Sequence, residues 1–314
     1  MHLNKNIFNS KGFKTEAILC TPLLFKGKLL GVIQAINPVH APKFTEDDLG
    51  LFNVFANQAA LAVQNAIFFQ NALEEARIKN ELTSARSIQN SLIPDINRVY
   101  DDIQIAARSL SAREVGGEFH GLFQLDDNYI GVSLGDIHEK GIPGSIQASI
   151  VSGALKSLST IKGKNPSDMM KTLKRALSKD LSEKSISIFY GVVNIEDRSI
   201  EFVNAGVAYP ILLRNGLARY LRFGSRSLNE EVENIKKVLV KLKSNDMFII
   251  LTDGILNVKN SNGHQLGLKR IMKFLQDDFE TPEDVITSLV EYAENFSDGV
   301  GRRDDLSIIA IKVR

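Results

Sequence analysis

Residues 129–145 read YIGVSLGDIHEKGIPGS. The first seven form an apolar, strand-like run, and Asp136 closes it. A carboxylate beside a buried strand costs free energy unless it is paired or bound to a metal. The pattern recurs twice further on. Asp253 closes MFIILT at 247–252, and Asp304 and Asp305 stand just before LSIIAIKV at 306–313. Taken singly, a strand-end Asp is a common turn former. Three such positions, far apart in the chain, can converge at one end of a sheet sandwich. Their donors are hard oxygens, with one cysteine in the whole chain and no His pair, which favours Mg²⁺ or Mn²⁺ over Zn²⁺. Two such ions would bind a phosphate and activate water for in-line attack.

Outward from this stretch, strand-like runs are expected at 102–109 and 118–125, with Asp126-Asp127-Asn128 as a turn into 129–135. Helical patterns cover 142–161 and 166–184, the second opened by Asn165 and Pro166. Six more runs follow at 186–195, 200–204, 210–213, 218–222, 237–243 and 247–252, then helices near 267–276 and 281–295 and a last strand at 306–313. Strands come in hairpins and helices in blocks. The fold class is therefore α+β with mostly antiparallel sheets.

The N-terminal part is organised differently. AILCTPLLF (17–25) and KLLGVIQAI (28–36) flank Lys26-Gly27 as a β-hairpin. Thr45 followed by Glu46, Asp47 and Asp48 reads as a helix start. Phe52, Phe55, Ala59, Ala62, Ala66, Phe69, Leu73 and Ala76 then recur at alternating spacings of 3 and 4, a heptad seam that turns polar at Asn80, Thr83 and Ser87. One helix of about 45 residues would be about 65 Å long. A parallel dimer with this helix as a coiled-coil rod accounts for that length; two shorter helices with a break near Asn80 are the alternative.

Composition narrows the function classes. The 38 Lys and Arg against 37 Asp and Glu leave a net charge of +1, which argues against a nucleic-acid binder. Cys20 alone excludes a disulfide framework. No apolar run approaches a membrane span, and MHLNKNIFNSKGF lacks a secretory core, so a cytoplasmic protein is expected. No P-loop or kinase catalytic-loop motif is present.

Six segments in order resemble the SpoIIE/RsbU-like PPM-type phosphatases: ARSIQNSLIP (85–94), REVGGEFHG (113–121), LGDIHEKGIPGS (134–145), VNAGVAYP (203–210), LTDGILN (251–257) and RRDDLSIIAI (302–311). Residues 1–70 resemble the C-terminal half of a GAF domain, on the hairpin strands, the FTEDDL helix start and the helix after it. The resemblance implies two antiparallel sheets packed face to face and flanked by helices at 95–314, a partial GAF domain at 1–70 and a connecting helix at 71–94. It implies metal-dependent hydrolysis of phosphoserine or phosphothreonine on a protein of the anti-sigma-factor antagonist type, by water and without a covalent intermediate. It places Asp136 between two Mn²⁺ or Mg²⁺ ions, with Ile137 contributing its carbonyl, Asp253 and Asp304 completing the sites, Glu118 supporting a bound water and Arg113 at a phosphate-binding position.

The chain also departs from the family pattern. Glu118 replaces an Asp, Gly121 replaces a second Asp, His138-Glu139-Lys140 replaces Ser-Gly-His, and Val207 replaces a His. The three principal metal positions survive, which favours an enzyme. A catalytically impaired phosphatase-fold interaction module is the alternative that the departures motivate. A ligand-sensing GAF protein with a passive C-terminal part is a third reading.

Overall fold

The computed structural model describes residues 15–177, 186–224, 227–228 and 236–314. The chain divides into two compact units, Met1–Glu81 and Leu82–Arg314.

In the first unit, β1 (Ile18–Phe25) and β2 (Lys28–Ile36) pair antiparallel, with a register shift between Leu23 and Leu24. Lys26 and Gly27 both take positive φ, the conformation that a two-residue hairpin turn demands. Helix α1 (Glu46–Leu92) opens on a capping box: Asp48 N donates to Thr45 Oγ1 at 3.2 Å, and Thr45 N donates back to Asp48 Oδ2 at 2.7 Å. Thr21 donates to Asn53, and Ala56, Ala60 and Gln64 form a buried stripe along α1. The helix runs unbroken through Asn80. Its heptad seam faces outward instead, with Phe55, Ala62, Ala66, Phe69, Leu73 and Ala76 exposed.

The second unit is a two-sheet sandwich. It uses β3 (Ile96–Tyr100), β4 (Ile103–Leu110), β5 (Glu118–Gln124), β6 (Tyr129–Ile137), β7 (Ile186–Asn194), β8 (Ser199–Ala205), β9 (Ile211–Arg214), β10 (Leu217–Tyr220), β11 (Val238–Lys241), β12 (Met247–Leu251) and β13 (Leu306–Val313). One sheet has the order β10-β9-β12-β13-β4-β3, the other β11-β8-β7-β6-β5, and every pairing in both is antiparallel. Helices α2 (Ile142–Lys162) and α3 (Pro166–Leu177) cover the second sheet. Helices α5 (Gly267–Phe274) and α6 (Pro282–Ser297) cover the first.

Strand β7 shows why this follows from sequence. Its side chains alternate between two apolar layers: Phe189 and Val193 pack between the sheets, while Ile188, Tyr190 and Val192 pack under α2 and α3. A strand covered on both faces needs an unbroken apolar run, and ISIFYGVVN is one. Phe189, Phe202 and Phe248 meet in the middle layer with ring centroids 5.1–6.3 Å apart.

Two elements lay outside the sequence expectation. β3 is an edge strand whose middle residues are exposed, so it lacks the apolar run that marks the others. Asp253 does not end a strand. β12 stops at Leu251, Thr252 sits at the N-cap, and Asp253 opens the short helix α4 (Asp253–Leu256). The expected continuation of the second helix over 178–184 lies outside the described residues.

Candidate metal centre

The acids gather where the two sheets meet at one end of the sandwich. Glu118 is the first residue of β5, and the β5–β6 register sets it opposite Asp136. Asp253 follows β12, while Asp304 and Asp305 precede its neighbour β13. Thr252 N donates to Ser307 O at 3.0 Å, and Ser307 N donates to Thr252 Oγ1 at 2.9 Å, which holds the two strand ends together. Gly254 permits this approach, since a Cβ there would lie 1.7 Å from the Asp305 carbonyl oxygen. Gly144 does the same at the start of α2, where a Cβ would lie 1.9 Å from the Glu139 carbonyl.

A cavity of about 560 Å³ opens at this end, and Asp136, Ile137, Asp253 and Asp304 all line it. Glu118 sits behind, buried, and its Oε2 has no hydrogen-bond partner. Burial pushes the Glu118 carboxyl well above its ordinary range; the Ser307 and Thr252 hydroxyls pull it back, and Asp136 and Asp305 push it further up. Asp136 is raised to about 7, first by burial, then by the charges of Asp253, Asp304 and Asp305. Such repulsion between neighbouring carboxylates is relieved by a hard cation. Among the described residues, no three His, Cys, Asp or Glu side chains stand close enough to hold an ion as they are. The donor set nevertheless fits one in kind: all oxygen, one buried carboxylate oxygen without a partner among the described residues, and a shared cavity.

Residues 126–314 match the family described as Stage II sporulation protein E (SpoIIE), and residues 3–63 match the GAF domain. The chain belongs to the SpoIIE family. Phosphoserine phosphatase RsbU of Bacillus subtilis is 22% identical over 238 residues, which are 74% of this chain and 68% of RsbU. Protein IcfG of Synechocystis is also 22% identical, over 261 residues. The chain spans less than half of IcfG, 41% of its length. Among solved structures, the SiaA-PP2C domain of Pseudomonas aeruginosa superposes with a TM-score of 0.66 at 18% identity, over 77% of this chain and all of that domain. Fold and family are thus those of the PPM-type protein serine/threonine phosphatases.

Within the SpoIIE-type frame, the sequence reading assigned no role to the anchors that hold the site. Asp305 is one: its Oδ1 accepts from Ala112 N at 2.8 Å and its Oδ2 from Gly117 N at 2.7 Å, so it fastens the loop before β5. Gln89, in the last turn of α1, is another. Its amide donates to Gly116 O at 2.7 Å and accepts from Gly116 N at 3.2 Å. Gly117 O in turn accepts from Ile137 N at 3.1 Å, so this clamp reaches the Asp136–Ile137 segment. His120 is the third. Its Nε2 lies 2.8 Å from Pro94 O, its Nδ1 lies 2.7 Å from Ser109 Oγ, and Ser109 in turn meets Ser307. A carbonyl only accepts, so Nε2 carries the proton and Nδ1 accepts. Burial lowers the His120 pKa, consistent with the neutral ring. All three lie inside motif segments, Gln89 in ARSIQNSLIP, His120 in REVGGEFHG and Asp305 in RRDDLSIIAI, but nothing local marks them as anchors.

The departures acquire physical reasons. At Gly121 a Cβ would meet Phe123 Cζ at 2.5 Å and Ser133 Oγ at 2.9 Å, so β5 has no room for the family's Asp there. Val207 is buried between the sheets, in a turn that Asn204 braces with bonds of 3.0 and 3.1 Å. Glu139 accepts from Gln147 at 2.8 Å, and His138 is exposed. Arg113 is exposed as well and is not among the residues lining the cavity. Asp136, Ile137, Asp253 and Asp304 thus line one cavity with Glu118 behind it, while Arg113 lies outside the lining, its Nη1 3.9 Å from where a Cβ on Gly141 would stand.

Proposed function

We propose that this protein is a metal-dependent phosphatase that removes phosphate from phosphoserine or phosphothreonine on a regulatory protein. The observation that carries the reading is the buried Glu118, one of whose carboxylate oxygens has no hydrogen-bond partner among the described residues, behind Asp136 at the head of an acid-lined cavity. Asp136, Asp253, Asp304, Glu118 and the Ile137 carbonyl would hold two Mn²⁺ or Mg²⁺ ions. When bound, such ions supply an acidified water and screen the charge of the phosphoryl oxygens. The chain's own part is to hold the carboxylates. The β5–β6 register sets Glu118 across from Asp136, Asp305 and Gln89 fasten the loop before β5, and the Thr252–Ser307 bonds fix Asp253 beside Asp304.

Likeness to RsbU, a phosphoserine phosphatase, supports a phosphoserine substrate; with the motif resemblance, the reading extends to a phosphorylated anti-sigma-factor antagonist in a partner switch. Self-association through α1 belongs to the same reading. A helix of 47 residues that exposes Phe55, Phe69 and Leu73 on one heptad seam suits a second copy of itself. The deciding experiment is hydrolysis of p-nitrophenyl phosphate by the full chain, with and without millimolar Mn²⁺. Turnover that appears with Mn²⁺ and disappears with chelator is expected. A folded chain that binds Mn²⁺ stoichiometrically and never turns over would overturn the enzyme in favour of the interaction module.

A further inference from the structure

A phosphomonoester dianion entering this cavity meets carboxylates on several sides, so the chain needs a cation of its own at the rim to orient it. Arg113, the position to which family resemblance assigns that task, is exposed and lies outside the cavity lining. Lys140 does line the cavity, on the loop between β6 and α2, and it is the one Lys or Arg among the described residues that does. Its Nζ donates to Asp304 Oδ1 at 2.8 Å, the same oxygen that accepts from Asp305 N at 3.2 Å. An ammonium has three donors, and this bond uses one. The Lys140 side chain is 54% exposed, so an isolated ion pair here contributes little to stability. The β6–α2 loop is also braced around it, through Glu139 with Gln147 and through the close approach of Gly144 to the Glu139 carbonyl.

We propose that Lys140 is the phosphoryl-binding cation of this cleft, tethered by Asp304 and presenting its remaining donors to the oxygens of a phosphomonoester. The assignment rests on the phosphatase reading and deepens it. Asp304 acts on the one side as a carboxylate of the metal set and on the other as the tether that places the ammonium. Selectivity follows from charge: a dianionic monoester gains more from a point cation at the rim than a monoanionic diester does.

The test uses the full chain loaded with Mn²⁺ and titrated with inorganic phosphate in a calorimeter, in three forms: wild type, Lys140→Met and Lys140→Arg. Lys140→Met should weaken phosphate binding by about tenfold or more and raise KM for p-nitrophenyl phosphate in parallel. Mn²⁺ affinity, measured separately, should not fall, and Lys140→Arg should restore phosphate binding to within about threefold. Phosphate binding that is unchanged in Lys140→Met overturns the assignment. So does a parallel loss of Mn²⁺ affinity, which would make Lys140 a positioning residue for Asp304 alone, and so does a wild type that takes up no phosphate. Failure of the phosphatase reading looks different: phosphate binds and depends on Lys140, but no form turns over.

Discussion

The two ends of β12 carry acids with opposite fates, one buried and one exposed. Asp246, just before the strand, is 1% exposed and fully answered by its own protein. Arg214 Nε donates to both its oxygens, at 2.9 and 3.0 Å, and Lys243 N donates to Oδ2 at 2.7 Å. At the other end Asp253 joins Asp136, Asp304 and Asp305 around a cavity, with Glu118 buried behind them, and Lys140 is the ammonium that reaches this group. The first end is complete as folded. The second holds more negative charge than its own cations offset, which is the condition of a site that binds something. A strand-end Asp is thus structural or functional according to whether the fold supplies its partner.

The largest effect expected from disturbing this contrast is on turnover. Asp136→Asn should lower Mn²⁺-dependent hydrolysis of p-nitrophenyl phosphate by about a thousandfold while far-UV circular dichroism stays unchanged. Substantial activity in that variant would break the contrast at its functional end. Asp246→Ala acts at the other end. It should cost about 3 kcal/mol in urea unfolding, because Arg214 loses its partner, yet leave the specific activity of the folded fraction intact.

A smaller effect concerns pH. In the folded chain Asp136 titrates near 7, above the ordinary 3.8 of an unfolded Asp, so the folded state holds its proton more tightly. Its contribution to stability is therefore present below about pH 4 and lost as pH rises through 7. Glu118 acts in the same direction. With chelator present, the melting temperature should fall between pH 5 and pH 8 by about 5 °C more in wild type than in Asp136→Asn. Equal pH profiles would show that the cluster is not strained by its own charge. The smallest effect is at Gln89. Gln89→Ala removes a two-bond clamp on Gly116 and should cost about 1–2 kcal/mol of stability and raise the Mn²⁺ concentration for half-activation several-fold.

Much of this was legible in the chain. Asp136, Asp253 and Asp304 announce themselves because each breaks an apolar run, and burial of an isolated charge is costly enough to need a reason. β7 and β13 are legible as two-faced core strands, because only continuous apolar sequence satisfies layers on both sides. β3 was not, since an edge strand exposed along its middle needs no such run. Nor was α4, four residues long and too short for periodicity to register.

The site's supports were out of reach for a different reason. Asp304 and Asp305 are adjacent and chemically identical, and only the fold separates them. Both line the cavity, but Asp305 is held by Ala112 N and Gly117 N, while Asp304 accepts from Lys140. Lys140 and Asp304 lie 164 positions apart, Gln89 and Gly116 27, and Ser109 and Ser307 198. The sequence by itself determined which strands are buried, which acids stand beside them and which family's motifs they compose, because apolar periodicity and motif spacing are local properties. Which acid is tied to the loop before β5 and which meets Lys140, and that Lys140 rather than Arg113 lines the cavity, was decided by the tertiary structure alone. Those contacts depend on how two sheets stack and where their loops meet, a distance that no local pattern encodes.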